Sequence, residues 1–230
     1  MIEEPPVLTI RATRRRPSAA QIAAFQGVPT GFVADALGGG GALDARIAPI
    51  GGSVPAAVAG PALTADNGPA DILATLAALA HVQDGDVLVA AFAGHQGCAA
   101  AGDRLMGMLK NSGGAGLVTD GPMRDLAGIE AVGLPAFCTG LIPSSPFSKG
   151  PGRIGFPVQI GGQQVDSGDM IVADRDGVVV VPFDWIDAII ARLGEVRAME
   201  EALDAEVAKG LKVPPAIEAL LAGPGAATTD

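Results

Sequence analysis

From the turn Gln83-Asp84-Gly85-Asp86 the chain passes at once into Val87-Leu88-Val89-Ala90, and turn, short apolar run and helix then recur down its middle. An apolar run that short, bounded by turn residues, reads as a buried strand. A glycine-rich loop from Gly94 to Gly102 follows, then a helix from about Asp103 to Lys110 and a second strand, Gly116–Thr119. Short apolar strands alternating with helices require an α/β core.

The flanks carry their own signals. Ser18-Ala19-Ala20-Gln21 has capping-box spacing and predicts a helix over roughly Ser18 to Gln26. Thr30 can cap a second helix through Leu37, stopped by the glycines from Gly38 to Gly41, and Asn67-Gly68-Pro69 opens a third from Ala70 to Ala80. From Pro135 onward the texture changes to short strands and turns: Val158–Ile160, Gly161-Gly162, Gln163–Val165, then Asp176-Gly177 before Val178–Val181. That is hairpin chemistry, so part of the sheet should be antiparallel. Pro182-Phe183-Asp184 caps a long final helix to about Lys209, with Ile186, Ile189, Ile190, Leu193 and Val196 at helical spacing. Residues 1–17 read as an N-terminal arm, 18–210 as one domain and 211–230 as a flexible tail.

Composition narrows the class. Hydrophobic residues are 49% and charged residues 17%, too few charges to cover a monomer, so subunit interfaces are expected. No apolar run approaches the length of about 18 residues that a membrane span needs. The acidic start, Met1-Ile2-Glu3-Glu4-Pro5-Pro6, lacks the basic and apolar stretches of a secretion signal, so a cytoplasmic location is expected. The formal charge of -10 repels nucleic acid, and the one basic cluster, Arg14-Arg15-Arg16, reads as a solvated arm. Cys98 and Cys138 lack metal-binding spacing and read as free buried thiols.

The stretch richest in chemistry is Asp103, twenty residues, then Arg124-Asp125, the last pair following a strand and the turn Asp120-Gly121-Pro122. Strand ends in α/β folds collect reactive side chains. A guanidinium fork can hold a carboxylate or keto oxygen while the neighbouring carboxylate holds a hard cation, together a site for a 2-oxo acid. A structural ion pair closing the turn is the alternative, and spacing alone does not choose between them.

Motifs around the pair carry a resemblance. Asp84 to Val89, Gly94, Gly97, Gly102-Asp103 and Gly116 to Asp125 are flanked by Asp35-Ala36-Leu37-Gly38, Gly60 to Thr64, Val158 to Gly162, Ser167-Gly168-Asp169 and Ala173 to Pro182. In this order, over roughly residues 28 to 210, the chain resembles the RraA-like family, which includes 4-hydroxy-4-methyl-2-oxoglutarate/4-carboxy-4-hydroxy-2-oxoadipate aldolases. The resemblance implies a three-layer β/β/α fold of the swivelling, phosphohistidine-domain type with mixed sheets, here with a helical N-terminal part and the long C-terminal helix, assembled as trimers or hexamers. It implies a class II pyruvate aldolase acting on a small 2-oxo acid with Mg²⁺, or Mn²⁺ or Co²⁺, and with oxaloacetate decarboxylation as a side activity. Asp125 would anchor the ion through its waters, and Arg124 would bind the pyruvyl oxygen. The amides of Gly102, Asp103, Arg104 and Leu105 would cradle the substrate carboxylate, and the Asp103 side chain would position or activate a water, unless Asp103 is an ordinary helix cap. Another branch of the family is non-catalytic and regulates ribonuclease E, and Asp125 after Arg124 argues against that branch.

Lesser candidates complete the reading. His95 could touch substrate, Glu200 or Glu201 could reach a neighbouring subunit's site, and Lys149, Arg153 and Arg104 are candidate cations for the substrate's distal half. Lys110 and Lys149 lack the context of a Schiff-base lysine, and turn chemistry accounts for Asp169, Asp174 and Asp176.

Overall fold

The computed structural model describes residues 5–227 and 229. The start read above for a secretion signal falls mostly in residues 1–4, outside the described residues.

In chain order the elements are β1 (Leu8–Ile10), α1 (Ala19–Ala24), α2 (Thr30–Ala36), β2 (Ala48–Pro49), β3 (Val58–Asp66), α3 (Leu73–Ala78) and β4 (Val87–Ala91). Then come α4 (Asp103–Asn111), β5 (Gly116–Thr119), α5 (Leu126–Val132), β6 (Ala136–Cys138), β7 (Gly152–Ile154) and the pair β8 (Val158–Ile160) and β9 (Gln163–Val165). The chain continues with β10 (Met170–Asp174), β11 (Gly177–Val181), α6 (Ile186–Ala208) and α7 (Pro215–Ala222).

Strands β3, β4, β5 and β6 run parallel, as the helical crossovers between them require. Strand β3 is long enough to serve two layers. Its first half pairs antiparallel with β10, its second half parallel with β4, and its last two residues with β7. Side-chain alternation then sorts the core. On β4, Leu88 packs with Met106, Leu109 and Ile129 of α4 and α5, whereas Val87 and Val89 face Ile171 and Val180 of the β10–β11 pair. On β10 and β11 the other face, Met170, Val172, Val179 and Val181, meets Phe25, Val33, Ile186 and Leu193 of α1, α2 and α6 and their flanks. Strands buried on both faces read as continuous apolar runs, which is why Val178–Val181 has no polar alternation. The β/β/α stack is therefore present, with a further layer made by the helical N-terminal part and the first half of α6.

Local expectations were met or shifted for identifiable reasons. Ser18 closes its capping box with Gln21. Thr30 begins α2 rather than capping it, because its N–H and hydroxyl both donate to Asp174 (2.8 and 2.7 Å), a distant side chain that does the capping. Helix α3 starts at Leu73, not Ala70: Ala70 takes φ +59°, and Asp71 accepts the Leu73 N–H (2.8 Å) in an Asx turn. Within the tail Pro215 at the first turn opens α7, which buries none of its side chains.

The arginine cluster is not a solvated arm. Strand β1 joins β7 in parallel, and the guanidiniums of Arg14 and Arg16 donate to the two carboxylate oxygens of Asp86. The Asp86 side chain is 0% exposed and that of Arg14 9%, so the arm is strapped across the turn that feeds β4. A buried carboxylate demands such partners, and the sequence offers them only 70 and 72 residues away. Both cysteines are buried free thiols. No helix among the described residues is long and apolar enough to cross a membrane.

Candidate active site

Three segments converge beyond the carboxyl ends of β4 and β5. The Asp120 carboxylate accepts the N–H groups of Phe92 (2.6 Å) and Gly94 (2.7 Å), locking the loop after β4 to the turn after β5. Met123 is fully buried and bridges to both Ala101 and Leu141, so the residue before Arg124 is clamped from two sides. The Arg124 N–H donates to the Ala101 carbonyl (3.1 Å), and its Nη1 donates to Ser145 Oγ (2.6 Å).

Asp125 sits at φ 62°, ψ 45°, in the left-handed region, at the N-cap position of α5. Aspartate is among the few non-glycine residues that enter this region, and it does so at some strain. Its carbonyl accepts the N–H groups of Gly128 and Ile129, yet its side chain makes no capping bond. The carboxylate lies instead beside Arg124, with Oδ2 3.2 Å from Nε.

Helix α4 presents its N-terminus to this pair. Gly102 is the cap and Asp103 the first helical residue, so the alternative of Asp103 as an ordinary N-cap does not hold. A Cβ on Gly102 would fall 2.9 Å from Asp125 Oδ2 and 3.2 Å from Arg124 Cγ. Only glycine lets the helix start approach that closely. A Cβ on Gly128 would meet the Asp103 carboxylate at 2.5 Å, which puts Asp103 against the first turn of α5. The Arg104 N–H is taken by Asp103 Oδ1 (2.7 Å), so it is not free for a ligand while that bond persists. First-turn amides of a helix have no intrahelical acceptor and, with the helix dipole, favour an anion.

Gly102, Asp103, Arg104, Leu105, Arg124 and Asp125 thus all line one cleft of about 570 Å³. Other candidates lie elsewhere. His95 packs edge-on against Phe92 (5.5 Å between centroids), Lys110 donates to the Val132 carbonyl (2.6 Å), Lys149 lies over Phe147 (5.9 Å) and Arg153 over Phe156 (4.3 Å). Asp174 is spent on Thr30, and Asp169 accepts the N–H groups of Asp166 and Phe183. Glu200 and Glu201 lie on the second half of α6, away from these motifs in the chain.

Two supports had no sequence signal. Ser145 stands 21 residues from the guanidinium it holds. Asp71 accepts Leu73 N–H through one oxygen and the N–H groups of Lys149 (2.7 Å) and Gly150 (3.0 Å) through the other, pinning the far end of the loop that carries Ser145. Burial would push the Asp71 carboxyl up, but three N–H bonds outweigh it and hold it below the usual carboxylate range. Such a group contributes stability that is full above its unfolded pKa and lost as pH falls through its lower folded pKa, so this loop anchor stays charged at neutral pH.

No group of three or more His, Cys, Asp or Glu that could hold a metal occurs among the described residues. The cleft offers two carboxylates, Asp103 and Asp125. Two hard oxygen donors with open space suit Mg²⁺, which keeps several waters, and do not suit ions that demand thiolate or imidazole cages.

Known proteins are similar to this chain in sequence and fold. A Halalkalibacterium halodurans protein named "Putative 4-hydroxy-4-methyl-2-oxoglutarate aldolase" is 36% identical over 181 residues, spanning 79% of this chain and 85% of that protein. The crystal structure of Streptomyces coelicolor RraAS2, described as an unusual member of the RNase ES inhibitor RraA protein family, superposes with a TM-score of 0.69 at 30% identity, covering 83% of this chain and all of that one. An uncharacterised Pseudomonas syringae protein superposes at 0.75 with 25% identity, covering 86% and 92%. The RraA-like family, Aldolase/RraA, matches residues 30–180, two thirds of the chain and the whole of the cleft's charged end, and this protein belongs to it.

Proposed function

We propose that the protein is a class II pyruvate aldolase, cleaving a 4-hydroxy-2-oxo acid to pyruvate and a carbonyl product in the cytoplasm. The observation that carries this reading is the meeting of Arg124, a left-handed Asp125 and the start of α4 on one cleft. Asp125, with Asp103 beside it, would hold Mg²⁺, Mn²⁺ or Co²⁺, and the ion's part when bound is Lewis-acid polarisation at the 2-keto oxygen.

The chain's own groups do the rest. The α4 start and the Arg104 charge hold the substrate carboxylate. Asp103 holds the water that takes the proton from the 4-hydroxyl. As the C4–O bond becomes a carbonyl, the C3–C4 bond breaks and its electron pair moves into the pyruvate enolate. Arg124, kept in place by Ser145, faces the oxygen where that charge develops. Protonation at C3 completes pyruvate. Oxaloacetate loses CO₂ through the same enolate, so its decarboxylation should accompany the aldol activity.

Purified protein should release pyruvate from 4-hydroxy-2-oxo acids, lose that activity in excess chelator and regain it with Mg²⁺, Mn²⁺ or Co²⁺. Full activity in chelator would overturn the metal-dependent assignment. Ser145→Ala should lower turnover roughly tenfold, the value of about one hydrogen bond to a charged group, without changing metal affinity. Unchanged turnover would show that Arg124 needs no such support.

The likeness to RraAS2 favours a second reading, a non-catalytic regulator of ribonuclease E. Inactivity on a broad 2-oxo acid panel with saturable binding to that nuclease would reverse the order. Assembly as a trimer or hexamer belongs to the same proposal: Met199, Leu203 and Val207 form an exposed apolar stripe on α6 that a neighbouring subunit would cover. Sedimentation of a monomer would reject it.

A further inference from the structure

One buried carboxylate near the cleft takes no part in the chemistry above. Asp71 is 7% exposed and does not line the cleft, yet its neighbour Ile72 does, and so does Pro146. Pro146 belongs to residues 139–151, which lie between β6 and β7 outside helix and strand, so their shape depends on what grips them. This loop reaches back to the guanidinium through Ser145, which receives Arg124 Nη1 at 2.6 Å. Two backbone grips flank Ser145. The Ser144 carbonyl accepts the Ala99 N–H (3.0 Å), and Phe147 pairs with the segment before α3, its N–H donating to the Ala70 carbonyl (2.8 Å) and its carbonyl accepting the Ile72 N–H (2.9 Å). Ala70 stands at φ +59°, a left-handed conformation that alanine holds only where its surroundings enforce it. The Asp71 carboxylate does so. Its Oδ1 accepts the Leu73 N–H (2.8 Å) and closes the turn, and its Oδ2 accepts the Lys149 and Gly150 N–H groups (2.7 and 3.0 Å) and closes the loop onto that turn.

We infer that Asp71 is a positioning residue for Arg124: by fixing the turn at residues 70–73 against residues 147–150, it holds Ser145 where the guanidinium is steered onto the developing enolate. This rests on the aldolase reading of the same cleft. Every bond from Asp71 to Arg124 lies within one chain, so the route needs no neighbouring subunit. A neutral residue of the same shape cannot replace the carboxylate. Asparagine offers one acceptor oxygen and an NH₂ group, so whichever way it is turned a donor faces a donor. Serine offers one hydroxyl, which can serve the turn at Leu73 and leaves the loop without its acceptor.

A double-variant cycle with two readouts tests this. Exchange of the pyruvate C3 protons with D₂O in the presence of Mg²⁺ reads enolate formation. The N–H resonance of Arg124 Nε in arginine-labelled protein, assigned by its loss in Arg124→Lys, reads the guanidinium with no substrate present. Asp71→Asn is expected to slow exchange by up to roughly tenfold, the value of about one hydrogen bond to a charged group, as Ser145→Ala should. In a Ser145→Ala background it should slow exchange no further, because groups that act through one another are not additive. Both variants should move the Arg124 resonance while circular dichroism and oligomer size stay those of the parent protein, and Asp71→Ser, which spares the start of α3, should do the same. Unchanged exchange in folded Asp71→Asn, losses that multiply in the double variant, or an Arg124 resonance that stays in place in both Asp71 variants overturns the inference and leaves the aldolase reading standing. Failure of both Asp71 variants to fold would make Asp71 architecture alone and overturn it too. A parent protein that exchanges no protons overturns the aldolase reading, and the resonance then decides by itself whether Asp71 sets the guanidinium.

Discussion

Arg124→Ala is expected to turn over 4-hydroxy-2-oxo acid at a rate lower by a factor on the order of 10²–10³, the loss typical of one donor removed from an oxyanion site. The guanidinium is held at both ends, Nε beside Asp125 and Nη1 on Ser145, so its charge needs no rearrangement as the enolate forms. Added Mg²⁺ should not rescue the variant. Arg124→Lys keeps a charge but loses the planar fork that reaches both partners, and should recover only part of the rate. Asp125→Asn should fail differently. The amide keeps the shape and tolerates the left-handed backbone but loses the charge, so calorimetry should find weakened Mg²⁺ binding and turnover should partly recover at high metal concentration. A structural ion pair would not divide in this way. If both variants unfold, the pair is architecture, and if both stay folded and fully active, the chemistry lies elsewhere.

Asp86→Ala is expected to cost about 3–5 kcal/mol of stability, the usual penalty for stranding one partner of a buried ion pair. The Arg14 side chain, 9% exposed, would keep its charge with no carboxylate beside it, and the Gln83 N–H would lose its acceptor (2.8 Å). Arg16→Ala should cost less, because that side chain is 27% exposed and Asp86 retains Arg14. Urea denaturation reads both as shifts in midpoint at similar slope. Coincident midpoints for Asp86→Ala and the parent protein would show that the strap carries no stability.

Much of the charged end of the cleft was legible before the fold was known. Its parts sit at local signals: a glycine followed by a helix start at Gly102-Asp103, and a strand, a turn and an Arg–Asp pair at Gly116 to Asp125. What brings them together is the parallel pairing of β4 with β5, which puts the segments that follow both strands at the same edge of the sheet. The supports were not legible. Ser145 acts through one hydrogen bond across 21 residues and Asp71 through two across 78 and 79, and a serine or aspartate in a loop looks the same whether it holds an arginine, a backbone N–H or water. Lys149 and Arg153 lie close to the family motifs in sequence, but each lies over a neighbouring phenylalanine ring rather than on the cleft.

By itself the sequence determined the alternation of strand and helix, the hairpin-rich second half and the capping of α1, because these depend on periodicity and on partners within a few residues. The family resemblance of its motifs also pointed to six residues, Gly102 to Leu105 with Arg124 and Asp125, that the fold brings to one cleft. Only the tertiary structure decided that Leu8–Ile10 pairs with β7 and that Arg14 and Arg16 are strapped to Asp86, that Asp174 caps α2, and that Asp125 enters the left-handed region and leaves its carboxylate uncapped beside Arg124. The strap and the α2 cap are long-range charge pairs or hydrogen bonds across 70 to 144 residues, and their partners are chosen by which segments the sheet brings side by side, a property of strand order that no local stretch of sequence contains.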